Sequence, residues 1–150
     1  MAIALAGVVV GAILTFIFQA VARRAAMRSE VLRDRLDEFC QDIRALADAA
    51  GRYWMTDPTD VGLPRVEAQV FGLNHRLNAA AGLIGDLKTK FRTTIEDGLI
   101  EFSLWATGGQ FQVNGRPAEP KRFIRIEHAA TDLTRATRRF QRQLLRGWLW

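Results

Sequence analysis

The sequence predicts an all-α protein, in which an N-terminal transmembrane helix precedes a four-helix up-down cytoplasmic bundle. Two observations predict this fold. Every Lys, Arg, Asp and Glu residue follows residue 22, and beyond that point apolar residues recur in steps of three and four between clusters of proline and glycine. We therefore expect two parts, a transmembrane anchor of residues 1–22 and a helical bundle of residues 23–150.

The uncharged segment 2–22 has the length of a membrane span. As a helix it would extend about 31 Å, which matches the hydrocarbon core of a bilayer. A cleaved signal peptide is the alternative, because Ala20 and Ala22 form an A-x-A pattern, although no basic residue precedes the apolar run. Three arginines follow it at once: Arg23, Arg24 and Arg28. The positive-inside rule then predicts a single-pass protein of the bacterial inner membrane, with its N-terminus outside and its C-terminal domain in the cytoplasm.

A row of small and polar residues runs along this predicted helix. Gly7, Gly11, Thr15 and Gln19 recur at intervals of four, beginning with the segment GVVVG. Helices associate in lipid through close backbone approach at glycine and through interhelical hydrogen bonds. The row predicts a homo-oligomer formed by the anchor helix, and the alternative is that the same residues line a pore.

The first bundle helix is predicted over residues 23–54. Its apolar residues form a heptad stripe of the coiled-coil type: Leu32, Leu36, Phe39, Ile43, Leu46, Ala50 and Tyr53. Pro58, Gly62 and Pro64 then mark a connection, after which the stripe resumes. Two glycines, Gly82 and Gly85, predict a break within it, so we expect helices at 64–85 and 88–106.

The last helix is predicted over residues 120–146, after a turn-rich loop that contains Asn114-Gly115 and two prolines. In an up-down bundle this helix returns toward the membrane. Its basic and aromatic end is then expected at the lipid surface: Arg139, Arg142, Arg146, Trp148 and Trp150. The alternative is a solvated helix whose tryptophans pack on protein. The basic charge of this region suits either an anionic lipid surface or nucleic acid as a partner, and only the predicted return of the helix to the membrane favours the lipid surface.

Few residues of this chain are suited to catalysis. The chain has one cysteine, Cys40, so an internal disulfide is impossible. With only two histidines besides, a zinc site is disfavoured, and we expect no metal and no cofactor. Arg122 and His128, with five residues between them, lie near the start of the last helix. This pair resembles the motif of HEPN-class helical bundles, where four intervening residues are usual. The resemblance implies that His128 transfers a proton and that Arg122 stabilises phosphate charge.

An anchor helix joined to a small basic bundle with an HEPN-like motif also resembles the small membrane proteins of bacterial antiviral systems, among them CRISPR-associated membrane effectors. The function expected from this resemblance is that of a self-associating, non-enzymatic membrane effector in antiviral defence, which forms a pore or perturbs the bilayer. Its expected partners are further copies of itself, membrane lipids and a cytoplasmic protein or nucleoprotein. The alternatives are a membrane-tethered HEPN-like ribonuclease and a scaffold that recruits a cytoplasmic partner.

Overall fold

The computed structural model describes residues 2–87, 89–113 and 115–147. Side chains are described from Phe16 to residue 144, apart from positions 17, 25, 28, 87, 88 and 114. Four helices account for most of these residues: α1 (Ala2–Met55), α2 (Leu63–Leu87), α3 (Thr89–Thr107) and α4 (Pro120–Gly147). The described residues contain no β-strand, which confirms the all-helical prediction.

Helix α1 belongs to two compact units. The first unit is Met1–Asp34 and the second is Arg35–Trp150. The helix continues through residue 23, where the sequence suggested a change from anchor to bundle, because neither proline nor glycine interrupts it there. No helix in the described part of the chain is both long and apolar enough to cross a membrane. Most of the predicted anchor lies before Phe16, where the side chains are outside the described residues.

Contacts within the second unit show how α1 and α2 run. The guanidinium of Arg76 donates to Asp42, with Nε 3.1 Å from Oδ2, while Arg52 Nη2 lies 3.4 Å from Gln69 Oε1. As α1 advances from Asp42 to Arg52, its partner on α2 therefore moves back along the chain, from Arg76 to Gln69. The two helices are antiparallel.

Helix α3 runs parallel to α1 in the same unit. The rings of Phe39 and Phe91 meet edge to face, with centroids 5.7 Å apart. Fifteen residues further along each helix, Trp54 Nε1 donates to the carbonyl oxygen of Ala106 at 3.0 Å. Both helices therefore end at the same end of the bundle.

Helix α4 closes the bundle by running antiparallel to α1. Arg138 donates to Asp37 near the start of the second unit, and the ring of Phe123 covers Gly51 near the end of α1. A Cβ atom on Gly51 would lie 2.7 Å from that ring, so glycine permits the close approach of the two helices. The second unit is an up-down-up-down bundle.

The heptad stripe predicted for α1 lines the core. Each of its seven residues, from Leu32 to Tyr53, is buried. The matching side chains of α2, α3 and α4 include Leu77, Phe91, Phe102, Ile126, Leu133 and Phe140, all at most 2% exposed. Phe123 of α4 lies on the rim of the bundle and is 37% exposed. The core otherwise follows the apolar periodicity of the sequence.

Candidate functional site

Arg122, one of the two residues of the HEPN-like pair, lies in a cluster of arginines and aromatic rings where α1 and α3 end. We call this group the arginine–aromatic cluster; its members are Tyr53, Trp54, Trp105, Phe111, Arg116 and Arg122. The last carbonyl groups of a helix have no partner within it and carry partial negative charge. Because two parallel helices end together here, cationic hydrogen-bond donors stabilise this end of the bundle.

Arg122 supplies such donors to α3. Its Nε donates to the carbonyl oxygen of Trp105 at 2.8 Å, and its Nη2 donates to those of Leu104 at 3.0 Å and Gly108 at 2.6 Å. The guanidinium carbon lies 4.0 Å from the ring centroid of Trp54, which is a cation–π contact. Arg122 is therefore a C-terminal cap of α3.

The charge of Arg122 is only partly balanced by a carboxylate. Its side chain is 10% exposed, and its Nη1 lies 3.7 Å from Glu119 Oε2. Burial lowers the pKa of the guanidinium, and the Glu119 carboxylate opposes that shift. Because arginine starts from so high a pKa, the group stays cationic and keeps its donors.

Arg116 caps α1 from the loop before α4, and it is 2% exposed. Its Nη2 donates to the carbonyl oxygen of Tyr53, and its guanidinium carbon lies 3.9 Å from the Tyr53 ring centroid and 4.9 Å from that of Trp54. Its Nε is buried without a hydrogen-bond partner. Among the described residues no carboxylate pairs with Arg116. Aromatic faces and helix-end carbonyls therefore hold this cation.

The loop between α3 and α4 is fixed to the same end of the bundle. Gln112 N donates to the Tyr53 hydroxyl at 3.0 Å, and Glu119 N donates to the carbonyl oxygen of Trp54 at 2.9 Å. Gly109 has a φ of +68°, and a Cβ atom there would lie 2.8 Å from Arg122 Nη1. Glycine is thus required both by the backbone conformation and by the buried guanidinium.

The structure does not join Arg122 to His128. His128 is exposed on α4, whereas Arg122 is directed at the end of α3. No hydrogen bond or ion pair links the two side chains in the described part of the chain. The Arg122 guanidinium already donates to three carbonyl oxygens, so a phosphate group would have to displace contacts that stabilise the fold.

A second polar cluster joins α1 to α4 at the opposite end of the bundle. Arg138 Nη1 donates to Asp37 and to Gln141 Oε1, the latter at 2.8 Å, and Gln141 Nε2 donates to Asp37 Oδ1 at 3.2 Å. The Cys40 thiol is buried nearby, and burial raises its pKa while Arg138 opposes the shift. These contacts hold Arg138 and Gln141 of α4 against Asp37 of α1.

The residues predicted to act at the membrane lie in both units. Gln19, Arg23 and Arg24 are exposed in the first unit, and Arg139 and Arg142 are exposed in the second. The remaining predicted residues have side chains outside the described residues: Gly7, Gly11, Thr15, Arg28, Arg146, Trp148 and Trp150. The predictions of self-association and of membrane contact at these positions therefore remain predictions.

Three grooves lie between neighbouring helices in the described part of the bundle. They measure about 270 Å³ between α1 and α2, 280 Å³ between α2 and α3, and 330 Å³ between α1 and α4. Within the described residues, no group of three or more His, Cys, Asp or Glu side chains is placed to hold a metal ion. Comparison of the chain with protein-family models, curated proteins and solved structures gives no significant match.

The sequence pattern alone did not reveal Arg116 or the role of Trp54. A partial signal was present, because α1 ends in an aromatic pair and the loop before α4 carries an arginine next to proline. Arginine and aromatic residues near helix ends are typical of capping and cation–π contacts. Pairing them required the knowledge that α1 and α3 end side by side.

Proposed function

We propose that this protein is a single-pass membrane protein that self-associates through its N-terminal helix and acts as a non-enzymatic effector on the membrane. One observation carries the proposal: residues 2–22 contain no charged side chain, and Arg23 and Arg24 follow them directly. The arginines assign the bundle to the cytoplasmic side of a bacterial inner membrane.

Self-association is proposed to depend on Gly7 and Gly11. In lipid, two glycines four residues apart allow helix backbones to approach closely, and Thr15 and Gln19 extend the same row with hydrogen-bonding groups. The bundle would then receive a cytoplasmic partner or signal, and the assembled anchors would perturb the bilayer. The resemblance to membrane effectors of antiviral systems supports phage defence as the setting.

The capping role of Arg122 favours this proposal over the ribonuclease alternative. A phosphate-stabilising arginine must present its donors to the substrate. Arg122 instead directs Nε and Nη2 at the carbonyl oxygens of α3. The ribonuclease alternative therefore lacks a free arginine at the position that the motif requires.

The decisive experiment replaces both glycines with isoleucine in the full chain expressed in bacteria. Gly7→Ile with Gly11→Ile should abolish cross-linked oligomers and the leakage of a membrane-impermeant dye, because the added side chains separate the helices. The matched control is Val10→Ile with Leu14→Ile, which changes apolar residues off the row and should leave both readouts intact. Unchanged oligomers and leakage in the glycine variant would refute the proposal. Intact membranes with partner recruitment would support the scaffold alternative instead.

A further inference from the structure

The outward face of α4 carries a straight row of charged side chains. The row advances in steps of four and three residues, so its members stay on one face of the helix, opposite the buried row that contains Ile126 and Leu133. Every member is exposed, and the row spans about 31 Å. We call it the α4 basic row: Lys121, Arg125, His128, Asp132, Arg135, Arg139 and Arg142.

Most of the positive charge in this row has no counter-charge. Arg135 Nη1 pairs with Asp132 Oδ1 at 2.7 Å. In the described part of the chain, Lys121, Arg139 and Arg142 have no ion pair or hydrogen bond. Arg125 lies over the Trp105 ring, at 5.5 Å from its centroid, and likewise has no ion pair among the described residues. Four cations of the row are therefore available to an external anion.

These cations are not explained by the packing of the bundle. Arg116, Arg122 and Arg138 act in packing, because each donates to a carbonyl or carboxylate oxygen of another helix. By contrast, Lys121 and Arg125 are like charges four residues apart on one helix face, a spacing that slightly destabilises a helix. The exposed row therefore indicates a partner that supplies negative charge.

The length of the row indicates which anionic partner fits it. The attraction of an anionic membrane falls off within a Debye length, about 8 Å at physiological salt, so a bilayer that meets the row end-on would act on one end of the row only. A nucleic acid duplex presents one phosphate charge per about 1.7 Å of its axis and matches the whole length. Single-strand binding relies on successive aromatic side chains on which unpaired bases stack, and among the described members of the row only His128 carries an aromatic ring.

We propose that the α4 basic row binds the phosphate backbone of double-stranded nucleic acid without sequence preference. Four unpaired cations predict four phosphate contacts. Each contact releases counterions, so the logarithm of the association constant should fall with the logarithm of salt concentration with a slope of about −3.6. This binding function is independent of the proposed action on the membrane.

The test measures binding of the full chain, in neutral detergent, to a fluorescent DNA duplex of about 20 base pairs between roughly 50 and 200 mM salt. Two double variants remove opposite ends of the row: Lys121→Gln with Arg125→Gln, and Arg139→Gln with Arg142→Gln. Each should halve the salt slope and weaken binding about 60-fold near 0.1 M salt, the value that counterion release gives for two contacts. An RNA duplex of the same sequence, measured in parallel, shows which duplex binds more tightly.

The matched control is Arg65→Gln with Lys90→Gln, which removes two exposed charges from α2 and α3. It should keep the wild-type slope, and circular dichroism should show unchanged helicity in all three variants. If the control and the row variants lose equal affinity for the duplex, net charge alone drives binding and the proposal is overturned. Absence of binding to both duplexes, with binding to anionic vesicles that the row variants lose, would overturn it in favour of a lipid surface.

Discussion

Replacing Arg122 with methionine tests whether this residue is a helix cap or a catalytic group. Methionine keeps most of the apolar stem but removes all three hydrogen bonds to the end of α3 and the cation–π contact with Trp54. A cap predicts a large loss of stability, whereas a catalytic role predicts a loss of activity with little loss of stability.

The expected loss follows from these contacts. Hydrogen bonds from a charged donor contribute about 1.5–3 kcal/mol each, and a partly buried cation–π contact adds about 1 kcal/mol. Removing a buried cation also relieves its desolvation cost, and water can reach some of the carbonyl groups that are left. The net decrease in the free energy of unfolding should therefore be about 3 kcal/mol for Arg122→Met.

The assay is denaturant unfolding of the full chain in mild detergent, followed by the far-ultraviolet circular dichroism of the bundle. Arg122→Lys should recover part of the loss, because lysine keeps the charge but cannot reach three carbonyl oxygens at once. His128→Ala should change the free energy of unfolding by less than about 0.5 kcal/mol, since His128 is exposed. If Arg122→Met leaves the free energy of unfolding unchanged, as His128→Ala is expected to do, the capping argument is refuted. If both variants in addition abolish RNA cleavage, the ribonuclease alternative is correct.

Two further predictions concern glycine packing and the buried thiol. Gly82→Ala should raise the free energy of unfolding by about 0.5–1 kcal/mol, because alanine favours a helix and nothing lies within 4 Å of the added Cβ. Gly51→Ala should lower the free energy of unfolding by about 1–2 kcal/mol, because the added Cβ would lie 2.7 Å from the Phe123 ring. Unfolding by denaturant measures both, and equal effects would contradict the packing argument. Burial raises the pKa of Cys40 above its ordinary 9.0, so the folded state keeps a proton that the unfolded state releases, and stability should fall as the pH rises above about 9. The same denaturation series in Cys40→Ala should lack this alkaline decrease; an identical decrease would assign it to other groups.

The helices could be predicted from the sequence because their causes are local. The three- and four-residue steps of Leu36, Phe39 and Ile43 identify the buried face of α1 without any knowledge of its neighbours. Helices α2 and α3 are separate elements, as predicted, but α2 continues through Gly82 and Gly85 and ends at Leu87. Proline acts on the backbone at its own position, and Pro64 and Pro120 lie in the first turns of α2 and α4.

The environment of Arg122 could not be predicted in this way. Sequence spacing relates Arg122 to His128. The partners that determine the role of Arg122 are instead carbonyl oxygens 14–18 residues earlier, at the end of α3, and the Trp54 ring on α1. Those partners meet only because α1 and α3 are parallel. The position of the Phe123 ring has a similar cause, since the absence of a side chain at Gly51, 72 residues earlier, leaves the space that the ring covers.

The capping of α1 by Arg116 and Glu119 bears on the order in which the chain folds during synthesis. Tyr53 and Trp54 leave the ribosome more than sixty residues before the donors that their carbonyl oxygens accept from. Until the loop before α4 has been translated, water rather than these donors must satisfy the two carbonyl oxygens. The contacts that complete the end of α1 are therefore distant in the chain, although every element of the bundle is a helix with local hydrogen bonds.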